Sequence, residues 1–84
     1  MIDSKFIRKI VDTTNMDIFT FNGYWLDVHY EPSIMESYIE AFIPGTDENE
    51  SIKVYFDDVV DKPSQIFSKK FFEGMANRLN ESIN

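Results

Sequence analysis

An Asn-Gly pair inside an aromatic run constrains the fold of this chain more than any other feature. Residues 19–30 read FTFNGYWLDVHY, with Asn22-Gly23 between two aromatic and β-branched runs. Asn-Gly is a preferred pair for a two-residue type I′ turn, because both turn positions need a positive φ. A two-residue turn also fixes the register of the strands that it joins. The pattern therefore predicts a β-hairpin that pairs Phe21 with Tyr24 and Phe19 with Leu26.

This register assigns each side chain of the hairpin to one face of a sheet, since neighbouring residues of a strand point in opposite directions. The residues predicted to face the core are Phe19, Phe21, Tyr24, Leu26, Val28 and Tyr30. The opposite face then carries Trp25, Asp27 and His29, which include the only tryptophan and the only histidine of the chain. We expect these three side chains to point away from the core.

Both ends of the chain have the pattern of amphipathic helices. Asp3 or Ser4 suits a helix start, and apolar residues follow at helical spacing up to Val11. Near the other end, Pro63-Ser64 suits a second start. The apolar stripe that follows consists of Phe67, Phe71, Met75, Leu79 and Ile83. A helix at each end is therefore predicted, with this stripe in the core.

Residues 33–43, SIMESYIEAFI, fit two structures. As a helix they have a capping box, Ser33 with Glu36. As a strand they alternate, with Met35, Ile39 and Ala41 on one face. We predict a strand over residues 34–43, because Pro44-Gly45 and the alternating run IKVYFDD then complete a second hairpin. In that fourth strand Ile52, Val54 and Phe56 point inward, and Lys53, Tyr55 and Asp57 point outward.

The predicted fold class is α+β, in a single small domain that spans residues 1–84. It is a four-stranded antiparallel meander with the N- and C-terminal helices packed on one face, in the order α-β-β-β-β-α. The alternative has residues 33–43 helical, in the order α-β-β-α-β-α. An 84-residue chain has room for only one modest core.

The absence of cysteine excludes a disulfide scaffold, a thiolate zinc site and a cysteine nucleophile. It is also typical of proteins in a reducing compartment, and we expect a cytoplasmic location. The first 15 residues are too charged for a signal peptide, and no apolar run approaches the roughly 18 residues of a membrane span.

Charge is distributed unevenly along the chain, whose net charge is −7. Residues 27–61 hold ten acidic residues and one basic residue, whereas residues 62–84 carry a local charge of +2. A field of this kind attracts basic surfaces and repels nucleic acids and anionic membranes. The predicted partner is therefore a basic protein, without direct binding to nucleic acid or membrane.

Outward aromatic side chains and carboxylates together define the predicted partner-binding site, because aromatic anchors contribute most of the affinity at protein interfaces. Its residues are Trp25, Asp27, His29, Glu36, Tyr38, Glu40, Asp47, Glu48, Glu50, Tyr55 and Asp57. An acidic stretch is also typical of a solvated loop that only keeps a small protein soluble, and this second interpretation stays open.

The run Asp27-Val28-His29-Tyr30-Glu31 is the one cluster that suggests chemistry. On a strand, residues two apart lie about 6.5–7 Å apart and residues four apart about 13 Å, so Asp27 and Glu31 do not converge on one ion. The chain also has no Gly-rich phosphate loop and no cysteine nucleophile. We therefore predict no enzymatic activity, no metal site and no cofactor.

Size, acidity and layout resemble three kinds of small inhibitor: phage-encoded anti-defence proteins of the anti-CRISPR type, DNA mimics, and toxin immunity proteins. This is a likeness of type and involves no shared motif. It implies a non-enzymatic inhibitor that occupies a basic, nucleic-acid-binding surface of its partner, such as a nuclease. The alternative is a structural or assembly protein that forms homodimers or larger homo-oligomers through its open sheet face.

Overall fold

The strands form one antiparallel sheet, and in the sequence one helix precedes them and another follows them. A computed structural model of the protein describes residues 1–12, 19–47 and 50–83. The regular elements are α1 (Ser4–Asp12), β1 (Phe19–Phe21), β2 (Tyr24–His29), β3 (Tyr38–Phe42), β4 (Ile52–Tyr55) and α2 (Lys69–Ile83). The strands lie in the order β1-β2-β3-β4. The predicted α+β class and the order α-β-β-β-β-α are confirmed.

The turn between β1 and β2 has the predicted geometry. Asn22 and Gly23 have φ values of 51° and 83°, the positive pair that a type I′ turn needs. Across the strands Phe19 pairs with Leu26, and Phe21 pairs with Tyr24. The predicted register of this hairpin is confirmed.

The third strand is shorter than predicted. Residues Ile34–Glu36 form a 3₁₀ turn, and Met35 is 69% exposed, so the predicted start at residue 34 and the inward Met35 are wrong. The Ser33 hydroxyl accepts a hydrogen bond from the Met35 amide, which holds the turn in place of a strand ladder. Ile39 and Ala41 are fully buried, as predicted.

Buried Ser37 connects this turn to the end of β2. Its hydroxyl accepts a hydrogen bond from the Glu31 amide at 2.9 Å and lies 3.1 Å from the Glu31 carbonyl oxygen. The Ser37 carbonyl accepts from the Phe56 amide. The buried Ser37 hydroxyl thus has hydrogen-bond partners within the protein, which avoids the energetic cost of an unpaired buried polar group.

The core lies between the inner face of the sheet and the two helices. The strands contribute Leu26, Val28, Ile39, Ala41 and Val54, and the helices contribute Ile7, Ile10, Phe71, Phe72, Met75, Ala76 and Leu79. Phe56, which follows β4, is fully buried edge-to-face against Phe71. Tyr30 was predicted to be inward, but β2 ends at His29 and Tyr30 is 54% exposed, stacked on Phe67.

Both helices pack on this inner face and against each other. The Asp3 carboxylate accepts a hydrogen bond from the Phe6 amide and caps α1. In α2, Gly74 lies so close to Val59 that a Cβ at this position would overlap the valine side chain. Glycine therefore allows α2 to approach the segment that follows β4.

A pair of hydrogen bonds ties the start of the chain to the end of α2. The Asn80 side-chain oxygen accepts from the Ile2 amide at 2.8 Å, and the Asn80 side-chain nitrogen donates to the Ile2 carbonyl at 2.7 Å. One amide side chain thus satisfies both backbone groups of a buried residue.

Candidate functional site: the outer face of the sheet

The side chains that β2, β3 and β4 direct away from the helices form a surface that we call the outer face. Its members are Trp25, Asp27, His29, Tyr38, Glu40, Phe42, Lys53 and Tyr55. Strand alternation places them here, because the residues between them fill the core. The predicted outward orientation of Trp25, Asp27 and His29 is confirmed. Cross-strand pairing arranges the outer face in three rows.

An aromatic pair forms the first row. Trp25 pairs with Phe42 across β2 and β3, and their ring centroids lie 6.2 Å apart at an interplanar angle of 57°. Trp25 is 37% exposed, so the indole is supported on one side and open to solvent on the other. A partly exposed tryptophan that a second ring holds in place is suited to anchor a partner.

The middle row carries charge. Asp27 pairs with Glu40, and Glu40 pairs with Lys53 on β4. Two carboxylates in directly opposite positions of neighbouring strands repel each other. His29 lies beside both, with its Nε2 atom 3.3 Å from Glu40 Oε1 and 3.7 Å from Asp27 Oδ2. A protonated imidazole here would partly neutralise the pair, as would a cation from a partner.

Tyr38 is the centre of the third row. The His29 ring stacks on it with a centroid distance of 4.5 Å, and the Tyr55 ring lies 5.1 Å away on the other side. The Lys53 ammonium group also lies over the Tyr38 ring, 5.2 Å from its centroid. These contacts hold Tyr38 within an aromatic cluster at this end of the outer face.

The other predicted site residues lie at the two ends of the outer face. Glu36 and Asp57 are exposed in the 3₁₀ turns Ile34–Glu36 and Phe56–Asp58, which pack against each other beyond Tyr38 and Tyr55. Asp47 and Glu50 are exposed in the β3–β4 loop, next to the Trp25 end. Glu48 lies outside the described residues. The structure thus brings Trp25, Asp27, His29, Tyr38, Glu40 and Tyr55 together, with acidic residues at each end.

A groove of about 320 Å³ adjoins the Trp25 end, between β3 and the loop that follows it. Phe42, Ile43 and Pro44 provide apolar walls, and Glu40 and Asp47 add acidic groups. Ile43 is 46% exposed, although a strand that continued past Ala41 would direct it inward. The strand ends at Phe42, so the alternation no longer applies to Ile43. The Pro44-Gly45 pair was the sequence signal for this end.

The outer face presents aromatic rings and carboxylates side by side on one surface. Within the described residues, His29 contacts two carboxylates and the Tyr38 ring. The same part of the chain has no group of three or more His, Asp or Glu side chains placed to hold a metal ion. None of its helices combines the length and apolar character needed to cross a membrane.

Comparisons with protein-family models, curated proteins and solved structures find no significant match to this chain.

Proposed function

We propose that the protein is a small acidic, non-enzymatic inhibitor that uses the outer face to occupy a basic, nucleic-acid-binding surface of a partner protein. The observation that carries this proposal is the Trp25–Phe42 pair beside the Asp27–Glu40 row on the side of the sheet opposite the helices. Carboxylates stand in for phosphates in such a complex, and the aromatic side chains supply short-range affinity.

The charge distribution supports a basic protein as the partner. Of the 15 acidic residues, ten lie in residues 27–61, which contribute β3, β4 and most of the outer face. At the partner surface this field raises the association rate and makes it depend on salt. It disfavours direct binding to nucleic acid or to an anionic membrane. The absence of cysteine suits action in a reducing compartment, which we propose to be the cytoplasm.

An isosteric double substitution tests the proposal. Asp27→Asn with Glu40→Gln removes two negative charges from the outer face and keeps the size of both side chains. Immobilised wild-type protein, incubated with a lysate at low salt, is expected to capture nucleic-acid-binding proteins that the double variant and Trp25→Ala do not retain. Added duplex DNA should release those proteins, because DNA competes for the same basic groove.

The matched control is Asp61→Asn with Glu81→Gln, which changes net charge equally at two exposed positions outside the outer face. It should capture the same proteins as the wild type. If both double variants captured equally less protein than the wild type, net charge alone would account for the capture. Recovery of no nucleic-acid-binding protein by the wild type, or capture that DNA leaves unchanged, would contradict the proposal. A neighbouring toxin, nuclease or phage gene would identify the class of partner.

A further inference from the structure

The helices carry a second, oppositely charged surface. Ser4, Lys5 and Arg8 of α1 and Lys69, Phe72 and Glu73 of α2 line a groove of about 360 Å³, which we call the helix groove. Three of its six residues are basic and one is acidic. The Arg8 guanidinium lies over the Phe72 ring, 4.9 Å from its centroid, and is thereby held at the groove.

Two of these basic residues lie where helix stability does not favour them. Neither α1 nor α2 has an acidic residue in its first turn, although the Asp3 carboxylate caps α1. Lys5 and Lys69 lie there instead, close to the positive end of the helix dipole, where carboxylates are stabilising. Lys69 has an ion pair with Glu73 at 3.8 Å, but its side chain is 89% exposed, so the pair adds little. The stability of the isolated helices does not account for the concentration of positive charge in the helix groove.

We infer that the helix groove receives the outer face of a second copy of this chain. The two surfaces lie on opposite sides of the sheet and are complementary in charge: Asp27 and Glu40 in the outer face, and Lys5, Arg8 and Lys69 in the helix groove. The exposed Trp25 adds an aromatic group to the acidic side, and arginine and lysine interact favourably with such rings.

This head-to-tail contact differs from a symmetric dimer formed by two outer faces. A symmetric contact would bring two Asp27–Glu40 pairs together, with little positive charge besides Lys53 to offset them. A head-to-tail contact joins the outer face of one copy to the helix groove of another. The pair still has one free outer face and one free helix groove, so further copies can bind. A basic partner protein would compete with the second copy for the outer face.

Sedimentation of the full chain over a series of concentrations tests the inference. At about 0.05 M salt, the weight-average mass should rise with concentration, and the rise should disappear at about 0.5 M salt because the charges are screened. The first variant, Lys5→Glu with Lys69→Glu, places carboxylates near the positive ends of both helix dipoles, which offsets the loss of the exposed Lys69–Glu73 ion pair, and it should fold as the wild type does. The second variant is Asp27→Asn with Glu40→Gln.

Each variant alone should have an association constant lower by about tenfold or more, since each lacks one of the two surfaces. An equimolar mixture should form a 1:1 pair that grows no further, because the second variant supplies a helix groove and the first supplies an outer face. A wild-type chain that stays monomeric at both salt concentrations would overturn the inference. Stronger self-association of the Asp27→Asn, Glu40→Gln variant would also overturn it, in favour of the symmetric dimer.

The proposed inhibitor function does not depend on this result. The Lys5→Glu, Lys69→Glu variant keeps the outer face and should still capture the basic partner. Loss of self-association with retained capture would therefore separate the two surfaces, and a monomeric wild type would leave the capture experiment unaffected.

Discussion

The two faces of the sheet are built from the same strands but differ in nearly every property. Five inner residues of β2, β3 and β4 are aliphatic and at most 5% exposed, namely Leu26, Val28, Ile39, Ala41 and Val54. The outer residues are aromatic or charged, and they contact one another across the strands. Adjacent residues of one strand can therefore have separate roles, with core packing on the inner side and the proposed partner binding on the outer side.

Leu26 and Trp25 give the sharpest test of this difference, because they are neighbours in β2 that point in opposite directions. Leu26→Ala removes a side chain that is 1% exposed and should lower the free energy of unfolding by about 2–5 kcal/mol. Urea denaturation measures the change. A loss below about 1 kcal/mol would show that the inner face is not packed as described.

Replacing Asn22-Gly23 by Ala-Ala should destabilise the fold by about 1–3 kcal/mol, because alanine is strained at the positive φ of both positions. This turn sets the register that separates the two faces. The control is Asn22→Gly, which tolerates a positive φ and should have a smaller effect. Unchanged thermal melts of the double variant would mean that the hairpin does not depend on a type I′ turn.

Trp25→Ala should lower the free energy of unfolding by only about 1 kcal/mol or less, since the indole lies at the surface. If the outer face binds as proposed, the same change should weaken partner binding by about 2 kcal/mol or more. Iodide quenching provides a check without the partner. Readily quenched, red-shifted emission is expected, whereas blue-shifted emission that iodide does not quench would place Trp25 in the core.

The smallest effect is expected for Asp27→Asn with Glu40→Gln, which should raise the free energy of unfolding by a few tenths of a kcal/mol, up to about 0.5. Both isosteres keep the strand side chains and remove the repulsion between opposite carboxylates. Thermal melts at low salt measure the gain, which should shrink at about 1 M salt because the repulsion is screened. A clear loss of stability would mean that contacts of His29 with these carboxylates outweigh their repulsion.

Prediction from the sequence succeeded where a local rule determines the geometry. The Asn22-Gly23 turn and the alternation around it were sufficient to place Leu26 inward and Trp25 outward. It failed at Met35 and Tyr30, because alternation indicates a face only while the strand continues. At Met35, hydrogen bonds of serine side chains replaced the strand ladder. The Ser33–Glu36 pattern was the available signal.

The sequence predicted which residues of the candidate site point outward, but it did not predict how these residues are grouped on the outer face. Alternation alone placed Tyr38, Glu40 and Tyr55 outward, and their outward positions on β3 and β4 are confirmed. The grouping into an aromatic row, a charged row and a second aromatic row depends on the pairing of β2 with β3. The eight-residue connection between β2 and β3 does not set that geometry as a two-residue turn does.

The bonds between Asn80 and Ile2 join positions 78 residues apart, so they close nearly the whole chain into a ring. The entropy lost on closing a loop grows with its length, and this contact therefore becomes favourable only after the sheet and α2 have formed. A circular permutant that links residue 83 to residue 2 and opens at Gly45 would convert the contact into a local one. In such a chain the contact between Asn80 and Ile2 would form without the closure of a long loop.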